Sequence, residues 1–208
     1  MKRSFVLFAV PMLVSRVAMA HPPYLGETDN EIGIFVVENP TAESAQDDAC
    51  YMGSPGQFTA YVVLTNPFNQ DDGVAISAVG GFEFRLVYPA GLFVTPTLHP
   101  SATNFTTPPD FYAGCNIPMN GGNQATLITL TIGTFTADPA AWFLTPVTSV
   151  APSIPDGMAI TDANDDFSLA QAYPTSGSYD VPVFGMFECT DVVPNEDVSW
   201  GSMKTLFK

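Results

Sequence analysis

Apolar positions recur at every second residue along most of the central chain, the period of a strand with one buried and one wet face. From Gln57 to Thr65, the residues Phe58, Ala60, Val62 and Leu64 fall on one side. From Gly81 to Tyr88, Phe82, Phe84, Leu86 and Tyr88 share a side. Glu83 and Arg85 take the other, which sets Arg85 to pair with a carboxylate. Ile128, Leu130 and Ile132 alternate with threonines, and Tyr179, Val181 and Val183 repeat the pattern. The run from Glu31 to Val37 is apolar on both sides, as in a strand covered on two faces.

Turn-forming clusters separate these runs: Asn39-Pro40, Gly53-Ser54-Pro55-Gly56, Asn66-Pro67, Asp71-Asp72-Gly73, Pro108-Pro109-Asp110, Asn120-Gly121-Gly122-Asn123 and Pro155-Asp156-Gly157. No stretch before residue 195 carries a helical stripe. Short strands between turn residues predict an all-β fold, a sandwich or barrel. The end of the chain differs. Asn195 is placed to cap a helix in which Trp200, Met203 and Phe207 line one face, so 196–208 is expected to form a short amphipathic tail. That tail either docks on its own domain or serves as a sorting or partner-binding tag.

The start of the chain sets the compartment. Lys2 and Arg3 precede the apolar run Phe5 to Val14, and Ala18-Met19-Ala20 is a small-x-small cleavage site. Residues 1–20 therefore read as an export signal, cut before His21. The run is shorter than the roughly 20 residues a membrane span needs, and Arg16 interrupts it. No cysteine follows the site to carry a lipid, and no later segment is long and apolar enough to span. The expected product is secreted, with one sandwich domain over 21–195 and the tail after it.

Charge narrows the partners. The chain has 6 Lys plus Arg against 21 Asp plus Glu, a net of −15. Cleavage removes three cations (Lys2, Arg3, Arg16) and no carboxylate, so the balance falls by three to −18. Phosphate binding needs clustered cations, so nucleic acid and anionic lipid are excluded as partners. Such acidity either keeps an exported protein soluble or supplies oxygen ligands to calcium. Three cysteines remain, Cys50, Cys115 and Cys189. In an oxidising compartment two of the three are expected to pair, and the sequence leaves all three pairings open.

Gly56 to Asn66, then Ile76-Ser77-Ala78-Val79-Gly80-Gly81-Phe82-Glu83-Phe84-Arg85-Leu86-Val87-Tyr88, then Leu92-Phe93-Val94, form an order of strands that resembles cohesins and related carbohydrate-binding-like sandwiches. Ala125 to Ile132 resembles a later strand of the same group. The chain is also similar to a loose group of uncharacterised exported bacterial proteins, through Ile32-Gly33-Ile34-Phe35 and the Trp200 to Phe207 ending. The cohesin resemblance implies an antiparallel jelly-roll β-sandwich that binds a protein partner and has no catalytic residues. The three cysteines, an extra first strand and the tail depart from that pattern.

Candidate chemistry is sparse. After cleavage His21 offers an amine and Nδ1, and His99 is the single further imidazole that would complete a copper-binding histidine brace. Asp162, Asn164 and Asp166 stand at positions 1, 3 and 5 of a calcium-loop spacing, but Phe167 and Tyr173 replace the turning glycine and the bidentate glutamate. The same residues fit an acidic turn between strands. Carboxylates are plentiful but no spacing singles out a catalytic pair, and the sequence has no phosphate loop, nucleophile elbow or His-Glu-x-x-His motif. Phe111, Tyr112 and Trp142 either stack on sugar rings or fill the core. The expected function is a secreted, non-enzymatic module that binds a protein or glycan partner or belongs to an extracellular assembly. A copper-brace protein, oxidative in action, and a plain carbohydrate-binding module are the alternatives.

Overall fold

The structure, a computed structural model, describes residues 29–189 apart from 122, 166 and 167. Residues 1–20, expected to be an export signal, together with His21, Asp166 and residues 196–208, expected to be a tail, lie outside the described residues. In chain order the elements begin with β1 (Glu31–Phe35), the single helical turn α1 (Ala45–Asp48), β2 (Cys50–Tyr51) and β3 (Gly56–Thr65). The small hairpin β4 (Phe68–Asn69) and β5 (Val74–Ala75) follows, then β6 (Ala78–Val87), β7 (Phe93–Leu98), β8 (Thr103–Asn104) and β9 (Asp110–Pro118). The chain continues through β10 (Gln124–Thr134), β11 (Ala140–Thr145), β12 (Met158–Asp162), β13 (Leu169–Pro174) and β14 (Phe184–Met186).

Hydrogen bonding links the strands in the order β2-β14-β11-β6-β12-β13-β1-β3-β10-β7, with β9 also on β6 and β8 on β9. This ribbon folds back on itself. One layer is β1-β3-β10-β7, the other is built on β6 with β9, β11 and β12, and one core lies between them. Ile34, Val62, Leu64 and Leu130 from the first layer share that core with Phe82, Phe84, Phe111 and Leu144 from the second. The fold is an all-β sandwich, as the alternation predicts.

Strand β1 is buried along its whole length. It pairs antiparallel with β3 and parallel with β13. Its two faces go to different places: Ile32 and Ile34 enter the main core, while Phe35 joins Val63, Ala45 and Ala49 in a second cluster under α1. The doubly apolar run of the sequence is explained by these two covers. Cys189, bonded to Cys50, packs at the same second cluster.

One expectation is corrected. Residues 179–183 are not a strand. Gly177 has φ +74°, Ser176 Oγ donates to the carbonyls of Ser178 and Val181, and Pro182 lacks a ladder donor, so the segment turns. Its Tyr179 instead offers a hydroxyl oxygen to the Met158 N–H at 3.3 Å. The helical turn α1 was not foreseen, because four residues are too few to show a stripe. It is held by Thr41–Ser44 hydrogen bonds and by the burial of Ala45 and Ala49.

Candidate functional site

The outer face of the β6 layer is built by register. Phe82 and Phe84 of β6 point into the core, so Gly81 and Glu83 face out. Opposite them on β9 stand Gly114 and Tyr112, since Gly81 pairs with Gly114 and Glu83 with Tyr112. On the other side of β6, Ala159 and Thr161 of β12 pair with Glu83 and Gly81. Gly81, Glu83, Gly114, Ala159 and Thr161 floor a groove of about 220 Å³, rimmed by Phe105, Tyr112 and Leu169.

Two glycines make the floor low. A β-carbon on Gly81 would stand 2.9 Å from the Ala113 carbonyl oxygen and 3.0 Å from Thr161 Oγ1. One on Gly114 would stand 3.2 Å from the Phe105 ring, so that ring lies against bare backbone. The ring of Phe105 is tilted against Tyr112 with centroids 6.3 Å apart. Phe105 is 66% exposed, Tyr112 41% and Leu169 43%. Glu83 is buried, and its carboxylate accepts the Ser153 N–H at 2.9 and 3.2 Å. Those oxygens already have a backbone partner, so the groove offers an incoming group apolar surface rather than a free carboxyl group.

Beside the groove, Arg85 Nη1 donates to Asp110 Oδ1 at 3.0 Å and to Thr148 Oγ1 at 2.7 Å. Asp110 also accepts the Ser149 N–H at 2.8 Å. Burial pushes the Asp110 carboxyl up, but the Ser149 and Arg85 donors outweigh it and hold the group below its ordinary range. The pairing expected for Arg85 is present.

Of the three aromatic candidates, Trp142 and Phe111 are fully buried in the core. Trp142 stacks on Tyr88 and donates its indole N–H to Met186 Sδ at 3.3 Å. Tyr112 alone of the three is exposed. Phe105 and Leu169 were not singled out in the sequence, where nothing but their place on the outer face distinguishes them.

His99 is held by Ser101, whose Oγ lies 2.9 Å and whose N–H lies 3.2 Å from Nδ1. It borders a separate recess with Glu38, Asn39 and Asn120. The brace partner His21 is outside the described residues. In the β12–β13 turn, the Asp162 carboxylate accepts the Asn164 N–H at 2.8 Å and Asn164 Nδ2 donates to Ser77 Oγ at 3.1 Å. Asp165 Oδ2 accepts from Asn69 Nδ2 at 3.0 Å and Ser168 Oγ at 2.7 Å. Asp72 meets Asp165 across the two hairpin tips: the hydrogen bond to Asp165 and repulsion from it raise the Asp72 carboxyl. Donation from Ser168, Asp72 and Asn69 lowers Asp165. Among the described residues no three His, Cys, Asp or Glu side chains form a metal-binding group. Asp166, the third calcium candidate, is outside them.

Cys50 and Cys189 form a disulfide. Cys115 is the leftover thiol, in contact with the Val79 carbonyl at 3.2 Å, and burial pushes it up to about 12. Such a thiol is inert at neutral pH.

The fold and site thus define an all-β sandwich with an apolar groove on one sheet face. No protein family model and no curated protein matches the chain. Among solved structures the chain is similar to a type II cohesin domain from the cellulosome of Acetivibrio cellulolyticus, at 13% identity, with a TM-score of 0.40, over 71% of this chain and 92% of that one.

Proposed function

We propose that the protein is an exported, non-enzymatic binding module whose recognition face is the outer side of β8, β9, β6 and β12. The observation that carries this is the exposure of Phe105, Tyr112 and Leu169 around a glycine-floored groove. Large apolar side chains grouped on one face mark an interaction surface. The occupant is a protein segment that presents one apolar side chain to the groove and cations around it. Arg85 is the only Lys or Arg among the described residues of a chain with net charge −15, so a basic rim on the partner meets a complementary field. The disulfide suits an oxidising compartment. No helix among the described residues is long and apolar enough to cross a membrane.

The test is capture of the partner from culture supernatant on the immobilised protein, identification, and calorimetry with the purified partner. Burying one large side chain is worth about 1.5–3 kcal/mol, so Phe105→Ala and Tyr112→Ala should each weaken binding by roughly ten- to a hundredfold. Melting temperatures should stay close to wild type, because both rings are exposed. Undiminished affinity in both variants would overturn the assignment of the groove.

A further inference from the structure

On the opposite layer the outer face of β7, β10 and β3 has a different chemistry. Its inward residues are Phe58, Ala60, Val62, Val94, Leu98, Ile128, Leu130 and Ile132, which leaves the alternate positions facing out. Register arranges those positions in three rungs: Thr97–Thr129–Tyr61, Thr95–Thr131–Thr59 and Phe93–Gly133–Gln57. Strands lie roughly 4.8 Å apart, so the grid is about 10 Å wide and about 13 Å long. Phe135 extends it at the Phe93 end, with the two rings edge to face at 5.5 Å. Phe135 is 85% exposed and Phe93 63%. The helical turn α1 and the disulfide cover the neighbouring part of the same layer, around Phe35 and Val63, and Tyr61 packs at their margin.

No position of the nine-residue grid is charged, in a chain of net charge −15. Carboxylates stay at the margins: Asp138 accepts from Thr136 Oγ1 at 2.6 Å, and Asp47 and Asp48 belong to α1. A face kept neutral in so acidic a protein does not suit a cationic partner. It suits a neutral ligand that is itself rich in hydroxyls and has apolar ring faces. Threonine hydroxyls both donate and accept, matching sugar hydroxyls in either sense. The paired phenylalanines give C–H-rich ring faces a surface to stack on.

We infer that this face binds a neutral polysaccharide chain, separately from the protein-binding groove. The sugar rings lie over Phe93 and Phe135, and their hydroxyls meet Thr95, Thr97, Thr129 and Thr131.

Native affinity electrophoresis of the full chain tests this, in gels containing neutral β-glucan, xylan or mannan, with acidic alginate as control. At least one neutral polymer should retard the protein and alginate should not. Phe93→Ala with Phe135→Ala should reduce that retardation tenfold or more. Thr95→Val with Thr131→Val, nearly isosteric, at one exposed and one half-buried position of the outer face, should reduce it severalfold with little change in melting temperature. Three results would overturn the inference: no retardation by any neutral polymer, retardation unaffected by both double variants, or retardation lost with Tyr112→Ala, which would move glycan binding to the groove. Concentration-dependent dimerisation abolished by Phe93→Ala would instead give the face to a second copy and also refute it. Failure here leaves the groove's protein affinity untouched, since Phe105 and Tyr112 lie on the other layer.

Discussion

At Asp110 one buried carboxylate ties together three segments: its own strand β9, Arg85 on β6, and the loop at Thr148–Ser149. Its carboxyl is held below the ordinary range, so the folded state binds the proton more weakly than the unfolded chain does. The resulting stability is present above the unfolded value and is lost as pH falls through the lowered folded one. Asp110→Asn should therefore cost about 2 kcal/mol at pH 7, in the range of hydrogen bonds to charged groups. The difference from wild type should shrink at pH 3, as urea titrations at the two pH values would show. Equal penalties at both would mean that shape rather than charge matters there. Arg85's need for a carboxylate was legible from alternation alone. Which carboxylate was not, because that depends on the β6–β9 register. The same register separates Phe111, set opposite Phe84 in the core, from Tyr112, set opposite Glu83 outside. Adjacent aromatics look alike in a sequence until one strand pairing is known.

The strands themselves were largely readable, because β3, β6 and β10 each carry a run in which every second residue is apolar and buried, outside the bulges at Val79–Gly81 and Thr126–Ile128. Elements of two to four residues were not. The short strands β2 and β8 and the helical turn α1 are too short to carry a period, and their place is set by what they pair with or pack on. The groove was hidden for a related reason: its floor is an absence of side chain. Gly81 and Gly114 read as weak points in strands, yet the sheet needs them for close approach of β9 and of the Phe105 ring. Gly81→Val would drive methyl groups against the Ala113 carbonyl and Thr161, so the strand must shift. A loss of about 2 kcal/mol is expected, within the range for overpacked sites, together with loss of partner binding. Gly114→Ala asks for a smaller adjustment, since only the end of the Phe105 ring must move. It should reduce partner affinity while barely altering the melt. A stable Gly81→Val protein with full affinity would show that the floor has slack that the distances deny.

For the whole molecule, the disulfide closes a span of 139 residues, from the strand after α1 to the end of the described chain. In the loop-entropy view such a closure stabilises by about 4–5 kcal/mol at most. Reduction should lower the melting temperature by on the order of 10 °C for a protein of this size, measured by calorimetry with and without a thiol reductant. A shift under 2 °C would show that α1 and the second cluster hold without it. Topology has a further consequence, for the rate of folding. The first strand, β1, takes its parallel neighbour from β13, so Glu31 must wait for Tyr173. Contacts this distant in sequence raise the search cost before any reward arrives, which places the protein among slow folders, on the millisecond-to-second scale or beyond. A chain emerging from an export channel N-terminus first would hold β1 and β3 as an unfinished pair, one edge open, until its last quarter had followed.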